Sequence, residues 1–416
     1  MKWATIFFFN LFTTVFCCLV SVSSTAQLQL ADNKVVDKIT PKEFAIPTSP
    51  LFDLLGAAPS QVARSADIKD FKVDWSFRNW RLNPNLAIEA QPVWELFYNR
   101  KKIDKYQQAS YLKRMFASLD VSLGTVQGES DSRRLGGALK MNLYKQKDPL
   151  LVKGVYEEVQ QAFDEELVEL KRKEKELLQA LDTLLKPSDV QIKREELRLN
   201  DVKMASFYSR RNTAIQEKAA SFIKDNWNSA FVDAAYGQIY TYSTDSAGSL
   251  NKLSLNRNTG AGGWLNFGFG VGKRGLISGL LRTTFYEEEI TFSIKDKTTG
   301  EETFEKAIAA NRLFSFGLNF RYGGPIYNFF AEVIWEGKKS TTPIQALQSA
   351  FTTPEGKEIV ASSVKWDAVQ PYTINIGGDW RISRNVILNY GIRCIMNENF
   401  KATTFIPIAN ISCMMR

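Results

Sequence analysis

The 416-residue sequence contains no histidine. This absence excludes Ser-His-Asp and Cys-His catalytic arrangements, the zinc-protease helix motif and histidine metal sites. We therefore predict a protein that is not an enzyme and that holds no metal or cofactor. A hydrolase is the weakest of the functions considered below. Residues 270–275 match the GxGxxG spacing. A strand is predicted to follow them, where a dinucleotide-binding fold needs a helix, so we interpret them as a tight turn.

Long apolar runs are missing after the first residues of the chain. Lys2, the apolar stretch from Ile6 to Val22 and the small residues 24–26 predict a signal peptide over residues 1–26, with cleavage before Gln27. Downstream, no run approaches the ~18–20 apolar residues that a membrane-spanning helix needs. Strands of a membrane barrel need only ~9–11 residues of alternating polarity, so membrane insertion through strands stays open.

Cysteine and concentrated charge are also scarce in the predicted mature chain. Only Cys394 and Cys413 remain in it. On adjacent antiparallel strands they would lie over ~20 Å apart, so we expect two free thiols. The net charge of +8 is spread over the whole length. The basic residues form no patch of the kind that binds nucleic acid. We interpret them as residues of loops and turns that lie near the headgroups of anionic lipids.

The sequence does contain twelve stretches that can be read as strands, and their connections alternate between short and long. The short connections lie at 272–275, 323–325 and 383–385, and the long polar ones at 244–258, 290–310 and 337–370. This alternation is typical of an up-and-down barrel in a bacterial outer membrane, with tight periplasmic turns and long external loops. We predict an all-β transmembrane antiparallel β-barrel of about twelve strands with an inserted periplasmic α-helical hairpin.

Each predicted strand has one apolar face and one polar face, because side chains alternate across a strand. A soluble β-sandwich also alternates, but here the apolar face is large and aromatic in nearly every strand. Five aromatic residues are predicted to form an interfacial girdle at the short-turn end: Trp94, Tyr98, Tyr322, Tyr327 and Trp380. The apolar face would then meet lipid and the polar face a lumen.

Ten charged residues fall on the predicted lumen face: Asp74, Glu89, Glu95, Asp120, Lys140, Arg321, Glu332, Asp379, Arg381 and Arg393. Two interpretations are open for them. They could line a narrow selective channel, or they could form a mutually satisfying network that fills a small barrel, since buried charges must be paired.

The barrel strands are predicted in two blocks, residues 71–147 and 228–416. Residues 148–227 between them show helical spacing with a break at 186–189, which predicts an antiparallel hairpin. Because this hairpin follows the fourth strand, we expect it to project into the periplasm as an arm. Its apolar positions Leu170, Leu177 and Leu181 must be buried against the second helix or against a partner. The segment 27–70 could plug the lumen, pack under the barrel or bind a partner.

The strand pattern and the loop alternation resemble those of outer-membrane β-barrel proteins of Gram-negative bacteria, from about Phe71 to Tyr144 and from Ser229 to Met415. The stretch TSPLFDLLGAAPSQVARS, residues 48–65, is similar to uncharacterised exported barrel proteins of Bacteroidetes. This resemblance implies an outer-membrane location and brings no functional residues with it. The chain departs from many such barrels at its C-terminus, where it ends in Cys413-Met414-Met415-Arg416 instead of an aromatic residue.

Three functions follow from these predictions. The first is a non-enzymatic outer-membrane anchor or scaffold, in contact with membrane lipid, whose periplasmic arm holds a periplasmic or outer-membrane protein. The second is a narrow channel for small solutes with a charge-lined lumen. The third and weakest is an outer-membrane hydrolase. No feature predicts a nucleic-acid partner.

Overall fold

A computed structural model describes residues 45, 47–67, 71–78, 81–98, 103–127, 133–148, 150–151, 157–183, 186–242, 255–341, 357–362, 371–383 and 385–414. These residues belong to one compact unit that spans Ile39–Arg416. The predicted signal peptide lies outside the described residues.

Strands make up most of the described chain. They are β1 Lys72–Arg78, β2 Arg81–Ala90, β3 Asp120–Gln127, β4 Arg133–Lys145, β5 Phe231–Tyr242, β6 Leu255–Val271, β7 Gly275–Asp296, β8 Glu302–Gly323, β9 Tyr327–Ser340, β10 Lys357–Ser362, β11 Tyr372–Arg381, β12 Val386–Met396 and β13 Ala402–Met414.

Twelve of these strands form a closed antiparallel barrel. Each strand from β1 to β9 pairs with the next one, β9 pairs with β11, and β11 to β13 follow in order. The ring closes where β13 pairs with β1, with Lys72 opposite Met414 and Arg78 opposite Ile408. Closure removes sheet edges, so every ladder group of the wall can be satisfied inside the bilayer. The prediction of a twelve-strand up-and-down barrel is confirmed.

The ends of the barrel differ in their connections. At the short-turn end, three- and four-residue connections join β6 to β7, β8 to β9 and β11 to β12. The long connections from β5 to β6 and from β9 to β11 lie at the opposite, long-loop end. The prediction of a long polar loop over residues 290–310 is wrong, because β7 and β8 stay paired as far as Lys295 and Glu302. These two strands are 22 residues each. At ~3.3 Å per residue they are ~70 Å long, so they extend well beyond the bilayer.

The thirteenth strand, β10, lies outside the ring. It pairs with the outer end of β7, with Lys357 opposite Asp296 and Ser362 opposite Phe292. This pairing adds a third strand to the β7–β8 extension at the long-loop end. It also accounts for part of the predicted long connection at 337–370.

The outer face of the wall is apolar, as β8 illustrates. Phe314, Phe316, Leu318, Phe320 and Tyr322 alternate along the strand and are 37–53% exposed. The intervening side chains Ser315, Asn319 and Arg321 are at most 3% exposed. A soluble protein does not expose an aromatic band of this kind around a closed barrel, whereas lipid provides the matching surface. The chain is a barrel of the bacterial outer membrane.

Helices occupy the two connections that emerge at the short-turn end between β2 and β3 and between β4 and β5. The first contains a π-helical turn Trp94–Tyr98, α2 Ile103–Gln107 and α3 Tyr111–Ala117, and the second forms the arm, α4 Glu157–Thr183 and α5 Pro187–Asn226. A further short helix, α1 Pro50–Leu55, precedes the barrel. None of the helices in the described ranges is both long and apolar enough to cross a bilayer.

The positions predicted for Trp94 and Tyr98 in the girdle and for Glu95 on the lumen face are wrong, because these residues lie beyond the end of β2. The strand ends at Ala90, because Pro92 has no amide hydrogen for a strand ladder. Trp94 and Tyr98 are buried in a cluster with Tyr106 instead of facing lipid. Glu95 lies exposed on the π-helical turn and does not face the lumen.

Candidate functional site: a lumen filled by the N-terminal segment

Residues 47–67, which we name the plug, lie inside the barrel. Within the plug, α1 begins after Ser49, whose hydroxyl accepts the Leu51 amide at 3.3 Å, and ends at Gly56 with a φ of 67°. The chain then turns back, because the main chains of Ala45 and Asp67 are hydrogen bonded at 3.0 Å. The plug therefore enters and leaves the lumen through the same mouth.

That mouth is at the short-turn end. The Asp67 carboxylate forms an ion pair with Lys145, the last residue of β4. It also accepts the Ala45 amide at 2.6 Å. Of the three placements left open for the segment 27–70, the structure shows the first for residues 47–67.

Carboxylates of the wall bind main-chain amides of the plug. Glu332 on β9 accepts the Gln61 amide at 3.0 Å and the Val62 amide at 2.9 Å, one on each carboxylate oxygen. It also accepts the Ser60 hydroxyl at 2.7 Å. On β1, Asp74 accepts the Ser49 amide at 2.7 Å. Hydrogen bonds to an ionised acceptor are the stronger kind, so these contacts fix the plug at two separate places.

Cationic side chains of the wall bind main-chain carbonyls of the plug. The Arg393 guanidinium on β12 donates to Gly56 O at 3.0 Å and to Ala58 O at 2.8 Å. Lys72 on β1 donates to Pro47 O at 2.6 Å. Three more carbonyls are bound: that of Asp53 by Arg282 on β7, that of Arg64 by Lys140 on β4, and that of Ala57 by the Ser76 hydroxyl on β1. The donors come from β1, β4, β7 and β12, so the wall surrounds the plug.

Glycines on the wall make room for the apolar side chains of the plug. A Cβ atom at Gly136 would lie 2.6 Å from Leu51 Cδ1, and one at Gly237 would lie 2.6 Å from Leu54 Cδ2. Both distances are shorter than a non-bonded carbon contact permits. Leu51 is fully buried in a cluster with Val62 and the wall residue Leu280. Burial of a leucine side chain contributes about 1.5–3 kcal/mol, so this contact supports the seating of the plug.

Ion pairs join the inward-facing charges to each other. Lys72 lies 3.0 Å from Asp74 and 2.7 Å from Glu89. On the opposite side, Arg321 bonds Asp379 at 2.6 Å, and the plug residue Arg64 approaches the same carboxylate at 3.8 Å. Nine of the ten charged residues assigned to the lumen from the sequence are buried there: Asp74, Glu89, Asp120, Lys140, Arg321, Glu332, Asp379, Arg381 and Arg393.

Arg282 is a further residue of the lumen, and it is not among the charged residues assigned there from the sequence. Its guanidinium donates to Gln61 Oε1 at 2.5 Å and approaches Glu336 at 3.3 Å. The inward face of β7 also carries Leu276 and Leu280, which are buried against neighbouring groups. Since this face mixes apolar and charged residues, alternation alone does not identify it. The spacing of two residues from Leu276 through Leu280 to Arg282 is the feature of the sequence that would have placed Arg282 on the inward face.

A cavity of about 180 Å³ lies at the short-turn mouth, beside the exit of the plug. Asp148 on its rim accepts the Tyr106 hydroxyl at 3.0 Å. Desolvation raises the pKa of the Asp148 carboxyl above its ordinary value, although the neighbouring Lys145 ammonium acts in the opposite direction. The cavity is lined both by the last residues of the plug, Ala66 and Asp67, and by the helical insertion between β2 and β3.

The arm is a hairpin with its own core. Leu170 and Leu177 are buried, and Leu181 is half-buried. Asn200 on α5 donates to Leu170 O at 3.1 Å, so α4 and α5 pack directly on each other. The sequence predicts that these three candidate partner-binding leucines are buried against the second helix or against a partner, and in the structure they face the interior of the hairpin. Among the described residues of the arm, five large apolar side chains are exposed: Val168, Leu178, Ile192, Leu199 and Val202.

The base of the arm is fixed to the barrel. The Trp227 indole, directly after α5, donates to Lys273 O at 3.2 Å. Asn228 donates to Gly272 O at 2.9 Å and to Gly275 O at 2.7 Å, on the turn between β6 and β7. The arm is therefore held at the short-turn end, as its position in the chain predicts. Within the described ranges, no three carboxylate or thiol groups converge to hold a metal ion.

Comparison with known proteins gives matches in structure alone. No protein-family model matches the chain, and no curated protein matches it. Among solved structures, the NanC porin is 6% identical with a TM-score of 0.31, covering 83% of this chain and 99% of its own. The Acinetobacter baumannii outer membrane protein Omp33 is 8% identical with a TM-score of 0.28, covering 83% and 98%. The β domain of the Bordetella autotransporter BrkA is 8% identical with a TM-score of 0.29, covering 84% and 100%. No residue or activity is transferred from these matches, and the fold rests on the strand pairing described above.

Proposed function

We propose that the protein is a non-enzymatic outer-membrane channel that its own N-terminal plug holds shut. One observation carries this proposal: the plug fills the lumen but contributes no strand to the wall. All ladder pairs of the ring lie between Lys72 and Met414. The plug can therefore leave the lumen without breaking any strand pair of the barrel.

The chemistry of the wall supports a channel over a permanently filled barrel. Burial of paired charges costs about as much free energy of desolvation as their attraction returns, and apolar residues of similar volume often stabilise a core better. Lys72, Asp74 and Glu332 are nevertheless completely buried around the plug. Such a wall is costly when it is always dry, whereas it suits a lumen that fills with water when the plug is withdrawn.

The experiment compares the full-length protein with a variant that lacks residues 47–67, in planar lipid bilayers. We expect little or no steady conductance from the full-length protein and stable openings from the deletion variant. Heat-modifiable migration on a gel verifies that both barrels are assembled. Deletion of the arm, residues 157–223, is the matched control and should leave the protein silent. A deletion variant that assembles but does not conduct would contradict the proposal.

A second measurement avoids the risk that the barrel does not assemble without its plug. The double variant Glu332→Gln and Arg393→Gln retains the plug but weakens four of its main-chain contacts. We expect this variant to show brief, repeated increases in conductance in the same bilayers. Persistent silence of an assembled double variant would count against a plug that can be released.

An anchor or scaffold is the second candidate, and the exposed apolar side chains of the arm favour it. Val168 and Val202 are 69% and 54% exposed on the two helices. We expect Val168→Glu with Val202→Glu to remove a protein that cross-links to the arm in intact cells, with Lys203→Glu as the control. Unchanged cross-linked products would argue against the scaffold. Contact with membrane lipid is common to both candidates.

A further inference from the structure

The wall of the lumen binds the main chain of the plug along its whole length, in addition to side chains such as Ser60, Gln61 and Ser65. Ten main-chain groups of the plug accept or donate hydrogen bonds with wall side chains, and they extend from Pro47 to Ala66. Contacts of this kind depend on the peptide unit and hardly on the side chain attached to it. The wall therefore has the chemistry to bind other sequences in the same place.

The signs of the wall charges match the two ends of the peptide unit. Carboxylates accept amide hydrogens, as Asp74 does from Ser49. Cationic groups donate to carbonyl oxygens, as Lys72 does to Pro47. A channel for anions or for cations would favour one sign of charge along its wall. A wall that carries both signs of charge suits the main chain of a peptide, which is uncharged but has a strong donor and a strong acceptor in each unit.

Glu332 provides the most specific contact. Its two oxygens accept the amides of two consecutive residues, Gln61 and Val62. Two donors with this spacing on adjacent units are a property of a polypeptide main chain. The carboxylate is itself held by Asn375, whose amide donates to it at 2.6 Å, and by Asn319 at 3.0 Å. The acceptor is thus preorganised for that pair of amides.

Niches over glycines accept the side chains of the bound segment. Leu51 lies over Gly136, Leu54 over Gly237, and the Val62 side chain is 2.9 Å from the position of a Cβ at Gly317. These niches set the size of the side chains that fit, while the charged groups bind the main chain. Peptide-binding proteins commonly combine hydrogen bonds to the main chain, which give affinity, with pockets that select side chains.

We propose that the solute of this channel is an unfolded oligopeptide, which occupies the groups that the plug occupies in the closed state. The plug would then compete with the peptide for the same groups of the lumen wall. This inference rests on the proposed channel function, because the lumen must first be vacated. It goes further in naming the chemical class of the solute.

The test measures peptide binding by fluorescence anisotropy to the purified variant that lacks residues 47–67. The probes are a labelled peptide with the sequence of residues 47–65, an unrelated peptide of the same length and net charge, and that unrelated peptide with alternate amides N-methylated. An oligosaccharide of matched mass serves as the competitor. N-methylation removes amide donors and keeps the side chains.

We expect the two unmodified peptides to bind with affinities within about tenfold of each other, and the N-methylated peptide to bind about tenfold more weakly. Glu332→Gln in the same variant should weaken both unmodified peptides, whereas Val168→Ala on the arm should change neither. The oligosaccharide should not compete.

Three results would overturn the inference: binding of the plug sequence alone, equal binding of the N-methylated peptide, or equal competition by the oligosaccharide. The failure of the channel itself gives a different result. If unrelated peptides bind but the assembled variant never conducts, the peptide site stands and the proposed channel fails. If the variant conducts and no peptide binds, the channel stands and the solute is of another class.

Discussion

Glu332 and Val62 are 270 residues apart in the sequence, and the Val62 amide donates to the Glu332 carboxylate at 2.9 Å. Both residues have no exposed surface. This contact joins the N-terminal segment to the ninth strand of the wall. It is the reason why we treat the plug as part of the closed barrel and not as a separate domain.

Replacement of Glu332 by glutamine should loosen the plug. The side-chain amide removes the charge and places an NH2 group against main-chain donors, so we expect the free energy of plug docking to fall by about 2–3 kcal/mol. Hydrogen exchange of residues 47–67 is the measurement, and it should become faster by about 30- to 150-fold. Glu195→Gln on the exposed surface of the arm is the control. Unchanged protection of the plug amides would contradict this role of Glu332.

Leu51→Ala should weaken the apolar seat of the plug. Because Leu51 is fully buried over Gly136, its truncation leaves a cavity, and the cost for such changes is about 2–5 kcal/mol. Arg64 is buried in the native lumen, so trypsin should cut after it only when the plug is out. We expect mass spectrometry to detect this cleavage much earlier in Leu51→Ala than in the native protein or in the exposed-site control Leu178→Ala. Equal cleavage in all three would refute the seating role.

The sequence alone predicts the wall of the barrel because the two-residue period is a local property. Along β8, the lipid-facing and lumen-facing residues follow the alternation from Phe314 to Tyr322. The outer half of β7 could not be predicted in this way. Outside the bilayer both faces of a strand can be polar, so residues of β7 such as Lys295 and Asp296 were assigned to a loop.

The contents of the lumen depend on contacts between distant parts of the chain. The sequence identifies nine inward charges, but it does not show which group each one meets. The Arg393 guanidinium, for example, meets two plug carbonyls that precede it by more than 300 residues. The assignment of Glu95 failed for a local reason, since Pro92 ends the strand and the chain continues as a helical turn.

The orientation of the barrel can be tested by labelling. Thr298, in the turn between β7 and β8, and Gln179, on α4, are both exposed at opposite ends of the molecule. In an outer membrane the long-loop end should face the medium. A cysteine at Thr298 should react with an impermeant reagent in intact cells, and a cysteine at Gln179 should react only after lysis. The reverse pattern would invert the orientation.

Arg381→Glu in the variant without the plug should change the ion selectivity. The Arg381 side chain is 2% exposed on the inner face of β11, so reversal of its charge makes the lumen more negative. We expect the ratio of cation to anion permeability to rise at least about twofold, measured from reversal potentials in a salt gradient. Lys203→Glu on the arm lies outside the lumen and should leave the ratio unchanged. An unaltered ratio in Arg381→Glu would mean that ions do not pass this side chain.

A reversible lock on the plug tests the central claim most directly. A Cβ at Gly391 on β12 would lie 3.5 Å from the Pro59 Cβ, a separation that a disulfide accommodates. We would introduce Pro59→Cys and Gly391→Cys together with Glu332→Gln, and replace the free thiols Cys394 and Cys413 by serine. The account predicts that the oxidised protein is silent in planar bilayers and that a reductant added to the same bilayer produces openings. Equal conductance before and after reduction of a verified disulfide would contradict a plug that closes the lumen.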